Sequence, residues 1–231
     1  MIKSNEKHVS ILRKRWLKFK TLKRGYYSLV ALTFLYGISF FLPLLINNRA
    51  LVVHYEGEYY FPIVSGYIPG KTFGQDVPGE TRYRILKAKF KDEQGNWVLM
   101  PPYPYSPYED ITFEGNKMYS PPSNKHWLGT DNTGRDVFAR LCYAFNISIS
   151  FALILTVINY IFGVLIGGAM GYFGGKFDLF FQRLIEIWSS LPMLFVIIII
   201  SSILMPSFFL LIGIYTLVNW ISMTYLMRAE F

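Results

Sequence analysis

The chain has 231 residues, of which 52% are hydrophobic and only 16% charged, with a formal net charge of +8. So low a charged fraction, against roughly 25% in soluble domains, points to a membrane protein. The whole excess of positive charge sits in residues 1–24; residues 47–140 hold eleven basic and eleven acidic side chains, and the segment beyond balances as well.

Residues 1–24 form a basic arm with nine Lys/Arg and one acid, Glu6. An apolar segment follows directly, so the positive-inside rule explains the charge better than nucleic-acid binding does. The expected place of the arm is the cytoplasmic side, near anionic headgroups. Ile11, Leu12, Trp16 and Phe19 either lie on the membrane surface with the lysines facing water, or belong to a solvated tail.

No charge occurs from Gly25 to Asn48. Tyr26–Ile46 exceeds the roughly 20 residues needed to cross a bilayer core. The run is too long for a signal-peptide core, and residues 43–48 offer no small-x-small cleavage site. It reads as a first transmembrane helix, residues 25–46, with its C-terminal end outside.

Residues 47–140 are polar, aromatic and proline-rich, an insert expected to be small, extracytoplasmic and partly β. Leu51–Tyr55 and Glu58–Val64 flank Glu56-Gly57 as a hairpin. Arg82–Phe90 alternates and reads as a strand, turned by Asp92–Gly95 into Asn96–Met100. The run from Pro101 to Tyr108 has too many prolines for a helix or a central strand. It either touches a partner or lies as a rigid loop on the insert's own surface.

The permease core is expected in residues 141–231, with transmembrane helices at about 148–171, 184–205 and 208–227. Gly163, Gly167 and Gly171 recur every fourth residue on one face of the second span, where small side chains let a neighbouring helix approach. Gly174-Gly175-Lys176 breaks that helix, and Pro192 is expected to kink the third span. Arg183 and Glu186 share a face. With Ser189 and Ser190 they either line a path or contact another subunit, or the ion pair is interfacial and structural only. The fold class is thus an all-α polytopic membrane protein with a small, partly β extracytoplasmic insert between helices 1 and 2.

One stretch joins insert and core: His126-Trp127-Leu128-Gly129-Thr130-Asp131-Asn132-Thr133-Gly134-Arg135-Asp136, then Val137–Arg140 and the apolar run. Thr130 and Asp131 are helix N-cap types, Gly129 and Gly134 permit positive φ, and Arg135, Asp136 and Arg140 can pair with one another or with a neighbouring chain. This stretch resembles the segment before the second membrane helix of ABC-importer permeases of the dipeptide, oligopeptide and nickel class. Gly171–Gly175, Asp178, Arg183, Glu186 and Pro192 follow at that family's spacing. Tyr59–Pro62, Asn96–Leu99, Pro121–Ser123, Ile185–Trp188 and Arg228–Phe231 look most like the microcin C and oligopeptide importer.

The resemblance implies six spans, of which four are present here, and a cytoplasmic coupling helix that would follow Phe231. It implies a second permease subunit, two ATPase subunits that use the ATP, and a periplasmic binding protein. By this reading the chain itself binds no cofactor, metal or nucleic acid and catalyses nothing. It has no Gly-x-x-x-x-Gly-Lys-Ser/Thr loop, its three histidines lie far apart, and Cys142 is its single cysteine. Its expected place is a bacterial inner membrane, with the N-terminus in the cytoplasm. The expected role is half of a translocation path for peptides or peptide-like compounds. Rival readings are a membrane-anchored extracytoplasmic binding or assembly protein, and a truncated remnant.

Overall fold

The computed structural model describes residues 10–76, 79–91, 93, 95–111 and 118–231. It is mostly helical, with one small sheet, and divides into two compact units, Met1–Asn146 and Ile147–Phe231.

In the first unit, α1 (Ile11–Thr21) stops at Leu22, and α2 (Lys23–Ser39) carries the apolar run. At about 1.5 Å per residue, α2 measures roughly 26 Å. The single span expected over residues 25–46 is interrupted: α2 ends at Ser39 and a separate turn, α3 (Leu42–Leu45), follows. Pro43 is the cause. Inside a helix its ring would meet the carbonyl four residues back, that of Ser39, so Pro43 instead occupies the first turn of α3.

The hairpin of the insert consists of β1 (Val52–Tyr55) and β2 (Glu58–Tyr60). Glu56 and Gly57 turn it with φ of 51° and 85°, both positive, as a tight hairpin turn requires. The second strand is shorter than expected, because Pro62 opens α4 (Pro62–Ser65). A 3-10 turn follows at Gly70–Phe73. Residues 82–90 are a helix, α5 (Tyr83–Lys89), where the alternation predicts a strand. The inward residues are Tyr83, Leu86 and Phe90, spaced three and four apart, while Ile85 is exposed; the period is helical. β3 (Trp97–Leu99) therefore pairs with β1, and the sheet order is β2-β1-β3, all antiparallel. Of the turn expected at 92–95, Asp92 and Gln94 lie outside the described residues. Val53, Phe73, Leu86 and Val98 centre the core of the insert.

Helix α6 (Val137–Phe173) begins in the first unit and is 37 residues long. In the second unit, Gly174 and Gly175, at φ of 55° and 52°, separate it from α7 (Gly175–Ser189). The expected span 184–205 is a broken pair: α7 and α8 (Met193–Ile203) are inclined by 70°. Pro192 again explains the stop, since its ring excludes the carbonyl of Trp188 from an unbroken helix. The last helix, α9 (Phe208–Glu230), is capped by Ser207, whose Oγ accepts from the Leu210 N–H at 3.2 Å. Among the described residues one helix, α6, is long and apolar enough to cross a membrane, and up to three spans are present if each bent pair is one.

The helical face of α5 is testable. Tyr83→Ala and Leu86→Ala should each lower the stability of the insert by about 2–5 kcal/mol, and Ile85→Ala should leave it nearly unchanged. Proteolysis of the full chain over a urea series would measure this. A strand would place Tyr83 and Leu86 on opposite faces, so only one of them would be sensitive.

Candidate functional site

The stretch from His126 to Arg140 folds as a knot in front of α6. Gly129 sits at φ 73°, where an added Cβ would lie 2.4 Å from the Ser120 carbonyl oxygen, so only glycine fits against that strand of chain. Thr130 is buried; its hydroxyl accepts from the Ser120 N–H at 2.8 Å and donates to the Met118 carbonyl. Asp131 Oδ1 accepts from the N–H and hydroxyl of Thr133, at 2.9 and 2.8 Å, and from the Arg135 N–H at 2.9 Å. Its other oxygen meets Arg135 Nε at 3.1 Å and the guanidinium of Arg140. Burial pushes the Asp131 carboxyl up, but those donors and the Arg135 charge outweigh it and hold the group well below the ordinary carboxylate range.

Neither Thr130 nor Asp131 caps α6, contrary to the expectation. Asp136 does: its Oδ1 accepts from the Ala139 N–H, the third of the helix, at 2.8 Å. Arg135 and Arg140 also pair with Asp131 rather than with Asp136. The second oxygen of Asp136, fully buried, accepts from the Tyr103 hydroxyl at 2.7 Å and lies 2.8 Å from His126 Nδ1. An ionised carboxylate only accepts, so His126 carries its proton on Nδ1. Burial first, then the bond to Asp136, pushes the Tyr103 phenol far above its ordinary value. The carboxylate thus has a donor on every side, the condition under which a charge can stay inside a protein.

Aromatic rings close this knot. Trp127 packs on Tyr103 and Phe138 with centroids 5.0 and 4.8 Å apart, and Leu128 beside it is exposed. Tyr105 lies 4.4 Å from the His126 ring, with the Arg84 guanidinium 4.7 Å above its face. Arg84 in turn holds Glu109 by two bonds of 2.8 and 2.9 Å. Pro101, Tyr103, Tyr105 and Pro107 of the proline-rich run all point inward, and Tyr108 is exposed. The backbone of Tyr103 pairs with Leu45 and Asn47, and the Tyr143 hydroxyl donates to the Ile46 carbonyl at 2.9 Å. The Asn146 amide reaches Ser39 Oγ at 2.7 Å. The end of α2, the proline-rich run and the first turns of α6 are thereby stapled together.

In the second unit the three glycines of α6 face α9. A Cβ on Gly163 would lie 2.5 Å from Met223 Cβ, one on Gly167 2.3 Å from the Thr224 carbonyl oxygen, and one on Gly171 2.5 Å from Phe231 Cβ. Arg183 and Glu186 form an exposed ion pair at 2.6 Å. Ser189 and Ser190 bond carbonyls of their own helix, those of Glu186 and Ile187, and Pro192 sits at the break between α7 and α8. Sequence reasoning missed the partner of Asp178, which is Arg228 at 2.6 Å; fifty residues separate the two, and no local spacing joins them. It also left Tyr103 without a role, since nothing in a Pro-Tyr repeat marks one tyrosine as the donor to a buried acid.

A long, largely apolar helix and a helix pair closed by glycines describe a membrane protein. No group of His, Cys, Asp and Glu able to hold a metal occurs among the described residues. The comparisons give the class. The chain is 41% identical to the inner membrane ABC transporter permease protein YejE of Escherichia coli (strain K12), over 94% of this chain and 63% of that protein. It is 35% identical to the peptidoglycan transport system permease protein YejE of Agrobacterium fabrum, over 95% and 63% respectively. It is 34% identical to the dipeptide transport system permease protein DppC of Bacillus subtilis, over 54% and 39%. No family model matches. The chain is a homologue of ABC-importer permeases of the dipeptide and oligopeptide class, and it spans 63% of the length of the first two relatives.

Asp136→Ala should destabilise the first unit by roughly 3 kcal/mol or more, because it removes a cap and strands two buried donors. Asp136→Asn, which keeps the acceptor for Ala139, should cost less. Cys142, the sole cysteine, packs against this cluster, so its rate of reaction with a thiol reagent over a urea series reports the change.

For Asp131 the depressed folded-state value fixes the sign. Its contribution is complete at neutral pH and is lost as pH falls through and below the ordinary carboxylate range. Asp131→Asn should lower stability at neutral pH and flatten the acid limb of the stability–pH curve. An acid limb as steep as that of the native chain would contradict the assignment.

Proposed function

We propose that the chain is a permease subunit of an ATP-driven, binding-protein-dependent importer of peptides or peptide-like compounds and forms half of the translocation path. The observation that carries this reading is the 41% identity to a named inner membrane ABC permease over 94% of the chain. In it, α2, α6, the α7–α8 pair and α9 are four spans. The basic arm faces the cytoplasm, as the positive-inside rule favours, and the insert lies outside, where a binding protein delivers cargo. A second permease subunit completes the path, and two ATPase subunits supply the energy. The permease then contributes a pathway with two shapes, and differential contacts with its partners set which shape is populated.

Two measurements test this. In a Cys142→Ala background, Tyr108→Cys should react with a membrane-impermeant maleimide from outside the inner membrane, and Lys18→Cys only after lysis. The reverse pattern would overturn the orientation. Expressed with ATPase, binding-protein and second-permease subunits, and with the remainder of the relatives' length supplied from a homologue, in a host deficient in peptide uptake, the chain should restore ATP-dependent accumulation of labelled tripeptides. No accumulation, despite membrane insertion and complex assembly, would reject the importer.

A further inference from the structure

The glycine seam between α6 and α9 runs through Gly163, Gly167 and Gly171. One turn ahead of it, where the glycines give way to larger side chains, a groove of about 260 Å³ lies between the same two helices. Thr156, Asn159 and Tyr160 line it from α6, and Asn219 and Ser222 from α9. The lining mixes these polar side chains with Met223 and Leu226 and carries no charge. Thr156 Oγ1 donates to the Ala152 carbonyl at 2.7 Å, and Asn219 Nδ2 to the Tyr215 carbonyl at 3.0 Å, both within their own helix. Asn159 differs: it is 9% exposed, and its Oδ1 is buried without a hydrogen-bond partner.

An unsatisfied buried amide oxygen costs about 1–3 kcal/mol, so Asn159 is stabilised by whatever supplies it with a donor. The missing partner must be an N–H or O–H donor. A neighbouring membrane helix has its own backbone N–H groups already bonded internally. An extended peptide carries free ones at every residue. Carboxamides supply both donor and acceptor, so they match a peptide bond on both of its sides. A neutral lining also accepts cargo whatever the charge of its side chains.

We propose that this groove lies on the cargo path, with Asn159 accepting a backbone N–H of the transported peptide and Asn219 and Ser222 flanking it. The inference rests on the reading of the chain as a peptide permease and adds to it the contact and the chemical group recognised.

The test uses the assembled importer and two labelled probes, Ala-Lys-Ala and Ala-Glu-Ala. Asn159→Leu should raise KM for both probes alike, several-fold. Asn159→Asp should raise the ratio of Ala-Lys-Ala to Ala-Glu-Ala uptake several-fold over the native ratio, because a new carboxylate discriminates only if cargo passes beside it. A photo-crosslinking amino acid at the exposed Tyr160 position should form an adduct with the labelled peptide. Normal uptake with an unchanged ratio, or adducts to protein alone, would overturn the groove and leave the permease reading standing. Absence of uptake by the native assembly would remove both.

Discussion

A single buried carboxylate organises the first unit. Asp136 accepts from the third amide of α6, the Tyr103 hydroxyl and His126 Nδ1. The three donors come from two separated stretches of chain, the proline-rich run and the two ends of the knot. Each would leave a costly orphan if the others were displaced, since a buried polar group without a partner loses its whole solvation. The start of α6, the proline-rich run and the knot of His126–Arg140 are therefore set together or not at all. Around this carboxylate the aromatic rings exclude water, which strengthens each bond to it.

The consequence for the proposed transporter is mechanical. Tyr103 also pairs by its backbone with Leu45 and Asn47, so the exit of the first apolar helix shares the same anchor. A partner pressing on the insert would act on a rigid base rather than on a loose loop. The chemistry found here is that of positioning.

Much of this was legible in residue order, and what was not has identifiable causes. The hairpin followed from Glu56-Gly57 between β-forming runs, and glycines every fourth residue pointed to the face of α6 that meets α9. Residues 82–90 misled because Arg, Lys and Ala separate Tyr83, Leu86 and Phe90 in a way that satisfies two periods at once; tertiary packing against Phe73 and Val53 decides for the helix. The motif itself was visible, but not its wiring. Thr130, Asp131 and Asp136 are all capping types, and only the turn imposed by Gly129 and Gly134 selects which one faces the helix. Pro192 was visible as an interruption, although the 70° angle there depends on packing that no local rule supplies, and Pro43 was passed over inside a run read as one span. The ion pair of Arg228 with Asp178, and the shared groove of Asn159 and Asn219, join residues far apart in the chain and leave no trace in spacing.

The seam between α6 and α9 also restricts how the second unit can change shape. Met223, Thr224 and Phe231 each fill a notch left by one particular glycine, so axial sliding of one rod past the other would drive side chains into backbone. The close approach holds from Met223 to Phe231, the second half of α9. Continuous helical bonding is interrupted instead on either side of α7, at Gly174-Gly175 and at Pro192.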